Sequence, residues 1–419
     1  MKKSLLAVNA FILCILLTLL TGCLKDSCRN TYTIYVPIYK TLTEVRQEMK
    51  STTPQELKQT GKLYVYGKYI FLNEVDKGIH VIDNGNPLSP RNISFIPIPG
   101  NVDLAVKGSY LYADSYSDMV VFDISSPTQV KAHKFINNVF PFRNSYYWGN
   151  TTNPDEVQVV VGFNKRDTTV DCETYRYWNN CINCAFETAN GARFYAAAQP
   201  TGIGGSMARF SVVNDYLYTV STSELYSFDI SDASSPSKTS QRQLGNWFIE
   251  TIYPFQDKLF IGSNNGMLIY DIANPSEPSY VSQFGHVRSC DPVITDGQHA
   301  YVTLRSGTQC QGFTNQLEVL NVSNLTQPSL VKTYSMTNPH GLSKDGHLLF
   351  ICDGKDGLKV YDASDATQLK QINRINGLET YDVILQNKVA IVVAKDGLFQ
   401  YDYSDPTNIR LLSKLSITK

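Results

Sequence analysis

A unit of about 40 residues recurs along the sequence, and this repeat restricts the possible folds more than any other feature. Each copy contains a short apolar run that ends in Asp or Asn and is followed by a small polar turn. Seven such positions occur, at Asp83, Asp123, Asp229, Asp271, Asn321, Asp362 and Asp402. Successive positions are 40, 106, 42, 50, 41 and 40 residues apart, so one long interval contains an insertion. Repeats of this length are typical of solenoids and propellers.

Each unit divides into four short strands with turn residues between them. In the second unit the predicted strands are Val102–Val106, Tyr110–Ala113, Met119–Ile124 and Val130–Ile136. The Asp after the third strand is followed by Ser and Pro, which predicts an Asx-type turn. Helical periodicity is found only at Leu42–Met49. The sequence therefore predicts an all-β protein, a β-propeller with seven blades of four antiparallel strands. Six or eight blades would follow from a different count of the insertion or the first unit.

The motif Gly-Leu-Lys-Val-Tyr-Asp-Ala-Ser-Asp at residues 357–365 resembles the LVIVD repeat. That family is found in bacterial surface propellers, including lipoproteins of Bacteroidetes-type bacteria. The resemblance covers residues 57–418 and implies a propeller over residues 57–419 that lies outside the cytoplasm. It implies no catalytic residues, because the family shares none. Two copies depart from the pattern, since Asn84-Gly85 follows Asp83 and Asn321 replaces the Asp.

The first 22 residues have the composition of a secretory signal peptide. Lys2-Lys3 precedes the apolar stretch Leu5–Leu20, and Leu20-Thr21-Gly22-Cys23 follows. This motif resembles the lipobox of bacterial lipoproteins, which implies lipid attachment at Cys23. The alternative is a signal-anchor helix with an accidental cysteine. Residues 23–56 are then a lipidated tether with an N-terminal strand, Thr31–Ile38, which we expect to complete the last blade. The expected location is the outer membrane, on its periplasmic or its outer face.

The long interval between units predicts an insertion at about residues 140–205. It contains Cys172, Cys181 and Cys184, which outside the cytoplasm favour a disulfide over free thiols or a metal site. Cys290 and Cys310 flank a hairpin of the fifth unit and form a second candidate pair. Cys352 lies in an alternating strand and is predicted to be a buried thiol.

The insertion also carries a set of aromatic residues, and loops on a rigid scaffold often form recognition surfaces. The candidate contact surface consists of Tyr146, Tyr147, Trp148, Tyr175, Tyr177 and Trp178. The alternative is that these rings cover a small core within the insertion itself.

Ionisable residues recur near the start of the first strand of each unit, at Lys62, Asp103, Arg209, Glu250, Asp291, His340 and Asp382. In a propeller these positions meet around the central channel. The four carboxylates could hold Ca²⁺ through oxygen ligands. We expect instead that the basic members neutralise them as ion pairs, with no metal or other cofactor bound.

Composition and motifs limit the possible functions. Hydrophobic residues make up 42% of the chain, and the formal net charge is -1, which excludes general disorder and gives no electrostatic case for nucleic-acid binding. No common catalytic motif occurs. The sequence thus predicts a cell-envelope lipoprotein that binds a protein or a glycan without catalysis. The alternative is a carbohydrate-active hydrolase or lyase that uses carboxylates of the channel.

Overall fold

The computed structural model describes residues 29–140, 147–148, 153, 155–171, 203–245, 248–286, 292–306 and 313–418. It divides the chain into two compact units. The first consists of Met1–Ile38 and Gly162–Asn190, and the second of Tyr39–Val161 and Gly191–Lys419. Of the helices among these described residues, none is long and apolar enough to cross a membrane.

The N-terminal part begins with a strand and a short helix. Strand β1 spans Arg29–Thr41, and helix α1 spans Leu42–Glu48, where a helix is predicted. A capping box starts this helix: the Glu44 amide donates to the Thr41 hydroxyl at 3.2 Å, and the Thr41 amide donates to the Glu44 carboxylate at 2.7 Å. Leu42 and Val45 are buried and fix the apolar face of the helix.

Each of the first two blades has four antiparallel strands that follow in chain order, and in blade 1 a short fifth strand from later in the chain pairs with the first of them. Blade 1 consists of β2 (Leu63–Tyr66), β3 (Tyr69–Glu74), β4 (Gly78–Asp83) and β5 (Arg91–Pro97). Blade 2 consists of β6 (Leu104–Lys107), β7 (Tyr110–Ser115), β8 (Asp118–Asp123) and β9 (Lys131–Ile136). The strands of blade 2 match those predicted for the second unit.

Three strands lie between blades 2 and 3 in the sequence: β10 (Tyr147–Trp148), β11 (Gln158–Asp171) and β12 (Ile203–Gly204). Strand β11 is the middle strand of a sheet with the order β1-β11-β10. Within the first unit, Thr31 contacts Thr169 at 2.9 Å and Thr33 donates to Asp167 at 2.7 Å. The predicted N-terminal strand is therefore present, but the expectation that it completes the last blade is wrong.

The remaining five blades repeat the four-stranded pattern. Blade 3 consists of β13 (Phe210–Val213), β14 (Tyr216–Val220), β15 (Glu224–Asp229) and β16 (Ser237–Gln243). Blade 4 consists of β17 (Ile249–Phe255), β18 (Lys258–Ser263), β19 (Gly266–Asp271) and β20 (Ser279–Gly285). Blade 5 consists of β21 (Val293–Thr295), β22 (His299–Leu304), β23 (Gln316–Asn321) and β24 (Ser329–Ser335). Blade 6 consists of β25 (Leu342–Asp345), β26 (Leu348–Cys352), β27 (Leu358–Asp362) and β28 (Lys370–Ile375). Blade 7 consists of β29 (Thr380–Gln386), β30 (Val389–Ala394), β31 (Gly397–Asp402) and β32 (Arg410–Ser416).

The ring closes by packing between blades 7 and 1. Blade 7 takes all four strands from the C-terminal end of the chain, which leaves no place for β1. Apolar residues of the two blades, Leu72 and Ile391 among them, form one buried cluster. At the rim, Ser413 donates its hydroxyl to the Pro87 carbonyl at 2.6 Å. Seven blades in a closed ring confirm the predicted fold class.

The Asx-type turns predicted from the repeat occur in all seven blades. In each, the side-chain oxygen of the terminal Asp or Asn accepts a hydrogen bond from the amide two residues later, at 2.7 to 3.0 Å. The turn satisfies the amide locally where the third strand ends and redirects the chain toward the outer strand. This shared hydrogen bond is the physical reason for the repeating Asp.

Candidate functional site at the axial channel

The first strands of the seven blades surround the axis of the propeller. Each contacts the first strand of the next blade, and the strands of blades 7 and 1 also meet. Innermost strands of a propeller line its central channel. Their side chains are therefore the ones that converge from different blades.

The strand pairings align these inner strands residue by residue. Equivalent pairs join the first and second strands at Leu63–Leu72, Leu104–Ala113, Phe210–Thr219, Ile252–Ile261, Val293–Val302, Leu342–Ile351 and Val383–Val392. The residues immediately before the first members are Lys62, Asp103, Arg209, Thr251, Pro292, Gly341 and Asp382. We call this set the channel ring.

The channel ring contains four of the seven residues predicted for it: Lys62, Asp103, Arg209 and Asp382. Glu250 and His340 lie one position earlier in their blades, and Asp291 lies outside the described residues. The prediction selected an ionisable residue in each unit, and in blades 4 and 6 that residue precedes the channel position, which is occupied by Thr251 and Gly341.

Lys62 and Asp103 form a buried ion pair between blades 1 and 2. The Lys62 Nζ–Asp103 Oδ2 distance is 2.9 Å, and both side chains are at most 3% exposed. Asp103 also accepts hydrogen bonds from the backbone amides of Leu104, at 2.7 Å, and Arg209. Burial lowers the pKa of Lys62 to about 8, although the Asp103 charge opposes this shift. The carboxylate of Asp103 is thus fully engaged by the protein.

Asp382 has a different environment, because its carboxyl group is buried and no cation of the described residues is bonded to it. Its Oδ1 atom accepts from the Val383 amide at 3.0 Å. Its Oδ2 atom is buried and accepts no hydrogen bond of normal geometry from the described residues. Burial raises the pKa of Asp382 to about 7, against smaller opposite effects of the Val383 amide, Lys62 and the Ser206 amide.

A segment at the end of the insertion lies at the inner strands beside Asp382. We call residues 203–208 the plug. Strand β12 extends blade 1 toward the axis, with Gly204 paired to Tyr64, and the Gly205 amide donates to the Leu63 carbonyl at 3.1 Å. The plug then reaches blades 6 and 4, since the Leu342 amide donates to the Ser206 hydroxyl at 2.6 Å and the Ile252 amide to the Ala208 carbonyl at 2.8 Å.

Two glycines allow the plug and the neighbouring blade to approach Asp382. A Cβ atom at Gly205 would overlap Asp382 Oδ2, and one at Gly341 would overlap Asp382 Oδ1. Residues 204–208 are all buried. Sequence reasoning did not find the plug, and its available signal was the run of small residues Gly204-Gly205-Ser206.

His340 lies beside the channel ring and is neutral. Its ring accepts from the Arg305 guanidinium and contacts the Asn338 side-chain oxygen at 2.9 Å. Burial and the Arg305 charge hold the pKa of His340 well below its usual value. His340 therefore does not supply a positive charge for the carboxylates, contrary to the role considered from the sequence.

The other predicted site residues are Cys352, two aromatic residues of β10 and a set that lies outside the described residues. Cys352 is fully buried as predicted, and burial raises the pKa of its thiol well above the usual value. Tyr147 and Trp148 form β10 and pair with Val159 and Gln158. The rest lie outside the described residues: Cys23, Cys172, Cys181, Cys184, Cys290, Cys310, Tyr146, Tyr175, Tyr177 and Trp178.

A metal site can be sought only among the described residues. Among these, no group of three or more His, Cys, Asp or Glu side chains is arranged to hold a metal ion. Asp291 is not among them, so a cation held by the predicted ring stays a prediction.

Solved structures with a similar fold include several propellers of low sequence identity. A protein from Lactobacillus plantarum is 13% identical, with a TM-score of 0.55 over 86% of this chain and 97% of that one. The periplasmic gluconolactonase of Pseudomonas aeruginosa is 13% identical, with a TM-score of 0.52 over 85% and 96%. Sqt1 of Saccharomyces cerevisiae is 8% identical, with a TM-score of 0.51 over 87% and 88%. At this identity the likeness shows the fold alone.

The fold and the closed ring of inner strands define a seven-bladed β-propeller. The family model of the LVIVD repeat matches residues 59–94, 100–133, 204–241, 258–285 and 310–336. The chain therefore contains LVIVD repeats within a seven-bladed β-propeller. A search of curated proteins found no match to the sequence.

Proposed function

We propose that the protein is a binding propeller of the cell envelope that captures a protein or a glycan without catalysis. The observation that carries this proposal is the plug. It occupies the channel at the place where the carboxylates of different blades converge. Asp103 and Asp382 are each only 2% exposed, so neither reaches a substrate in solution.

An acid–base enzyme requires its carboxyl groups within hydrogen-bond reach of the substrate. In a glycosidase two such groups flank the scissile bond. Of the four candidate carboxylates, Asp103 is bonded to Lys62 and to two amides, and Asp382 lies against Gly205. This arrangement favours a structural role for the channel ring and moves the expected binding surface elsewhere.

The insertion is the best candidate for that surface. It enters between blades 2 and 3, and its aromatic residues are of the types that contribute most to binding energy in interfaces. A rigid propeller that presents one long loop resembles other scaffolds on which recognition loops are carried.

A capture experiment with matched variants tests the proposal. The bait lacks residues 1–23, and the probes are a glycan array and a detergent extract of the envelope. Replacing Tyr175, Tyr177 and Trp178 by Ser together is expected to lower capture at least tenfold. Asp382→Asn and the control Tyr280→Ser, which removes an exposed ring from blade 4, are expected to leave it unchanged. Undiminished capture by the triple variant, or glycoside turnover that Asp382→Asn abolishes, would favour the enzyme instead.

We also propose that Cys23 carries a lipid anchor in the outer membrane. Two or three acyl chains hold a protein stably at a bilayer, because each buried CH₂ contributes about 0.8 kcal/mol. Cys23→Ser is expected to move the protein from the membrane pellet to the soluble fraction, measured by immunoblot after fractionation. An unchanged pellet fraction together with absent labelling by a radioactive fatty acid in both forms would rule out the anchor.

A further inference from the structure

Asp382 and the plug form an arrangement that the binding function does not use. One oxygen of a fully buried carboxyl group has no hydrogen bond of normal geometry from the described residues, and the plug backbone covers it. A buried polar group without a partner costs free energy, and a buried charge without one costs considerably more. The carboxyl group therefore tolerates this environment much better with its proton than without it.

The charged neighbours do not remove that cost. Lys62 stabilises the carboxylate of Asp382, but it is bonded to Asp103. Asp103 acts in the opposite direction on Asp382, and Arg209 repels Lys62. From blade 6, the Cys352 thiol faces Asp382 and is itself neutral, while neighbouring His340 is directed toward Arg305. Among the described residues no cation is bonded to Asp382, and the favourable effects of the Val383 and Ser206 amides are each smaller than the effect of burial.

Few hydrogen bonds to other described residues hold the plug at this place. Strand β12 pairs with β2 over two residues only. Beyond that pairing, Gly205 donates to Leu63 and Ser206 accepts from Leu342. A segment with so few hydrogen bonds can open locally without unfolding of the blades.

We propose that Asp382 is a proton-controlled latch for the plug. With its proton, the carboxyl group is accommodated beside Gly205 and the plug stays in the channel. When the proton is lost, residues 203–206 leave the channel and water reaches the carboxylate. The Ala208 carbonyl, bonded to the Ile252 amide, marks the fixed end of the moving segment.

The direction of the pH effect follows from the two states of Asp382. With the plug in place its pKa is about 7, against an ordinary value of 3.8 when water surrounds it. The open state therefore binds fewer protons between these values, so the opening equilibrium rises with pH, by at most about tenfold per pH unit. It levels off above pH 7. Lys62, with a pKa of about 8, keeps its charge over most of this range.

Hydrogen exchange of the intact chain, followed by mass spectrometry, tests the latch. Protection of peptides covering residues 203–208 is measured at pH 5, 6, 7 and 8 and corrected for the intrinsic pH dependence of exchange. The wild type is expected to lose at least tenfold in protection between pH 5 and 7 and little more above. Asp382→Asn, which keeps the shape without the charge, is expected to stay protected at every pH.

Two further variants make the result decisive. Asp396→Asn removes an exposed carboxylate from the same blade and is expected to behave like the wild type. Gly205→Ala is expected to unseat the plug at every pH, because its Cβ would overlap Asp382. Flat protection in the wild type, or the same pH dependence in Asp382→Asn, overturns the proposal. Exchange needs no ligand, so this outcome is independent of whether the protein binds a partner or acts as an enzyme.

Discussion

The two ends of each blade differ in how strictly the repeat specifies them. Where the third strand ends, all seven blades make the same hydrogen bond from an Asp or Asn side chain to the amide two residues later. Where the first strand begins, the channel ring holds six different residue types in seven positions. The hydrogen bond of the turn is formed within a single loop, so the same type of residue can form it in every blade. A channel position depends on what the other blades place opposite it.

Two pairs of residues from neighbouring blades show this dependence directly. Lys62 of blade 1 is compatible with burial because Asp103 of blade 2 lies at 2.9 Å. Gly341 of blade 6 is required because Asp382 of blade 7 occupies the space that a side chain would take. The residue type at one channel position therefore depends on the residue type in the neighbouring blade, whereas each turn residue is independent of the other blades.

Of the substitutions that compare the channel end of a blade with the turn end, breaking the buried ion pair is expected to have the largest effect on the free energy of unfolding. Lys62→Met leaves Asp103 charged and buried, and removing one member of such a pair typically costs about 3–5 kcal/mol. The free energy of unfolding, measured by denaturant titration, is expected to fall by this amount. Adding Asp103→Asn removes the stranded charge while keeping an acceptor for the Leu104 amide, so the double variant should recover much of the loss.

An exposed pair provides the control for that experiment. Lys395 and Glu379 of blade 7 lie at 2.9 Å, with the lysine side chain 60% exposed. Exposed pairs contribute little, so Lys395→Met is expected to leave the denaturation midpoint unchanged. If Lys62→Met behaves like Lys395→Met, the channel ring is not a coupled structural element.

The same contrast explains which parts of the molecule the sequence predicts. Strand pattern, turn chemistry and the buried Cys352 depend on local sequence, and the predicted seven blades are confirmed. The place of β1 depends on a choice between two edges, blade 7 and β11, that no local pattern distinguishes. Its strand character was predictable and its partner was not.

The channel was predictable only in part for a related reason. Four of its residues follow from repeat counting, but a search for ionisable side chains passes over the channel positions that hold Thr251, Pro292 and Gly341. The plug joins Leu63, Leu342 and Ile252, which are far apart in sequence. Contacts that one segment makes with three blades have no periodic signal, so a search for repeats passes over them.

The smallest effect is expected at the Asx-type turn, where the third strand of each blade ends. The Asp123 side chain accepts from the Ser125 amide at 2.9 Å, and this bond lowers the pKa of Asp123. Asp123→Ala should cost about 1 kcal/mol of unfolding free energy, the usual contribution of one hydrogen bond. Asp123→Asn should cost less, because Asn321 makes the same turn in blade 5.

A carboxylate whose pKa is lowered on folding stabilises the fold above its unfolded pKa, and this contribution is lost as pH falls through the folded value. The unfolding free energy of the wild type, relative to that of Asp123→Asn, should therefore fall only at pH values below the ordinary pKa range of aspartate. Denaturant titrations of both proteins at neutral and strongly acidic pH measure it, and a loss at Asp123→Asn as large as that at Asp123→Ala would show that charge, not the shared turn geometry, maintains the repeat.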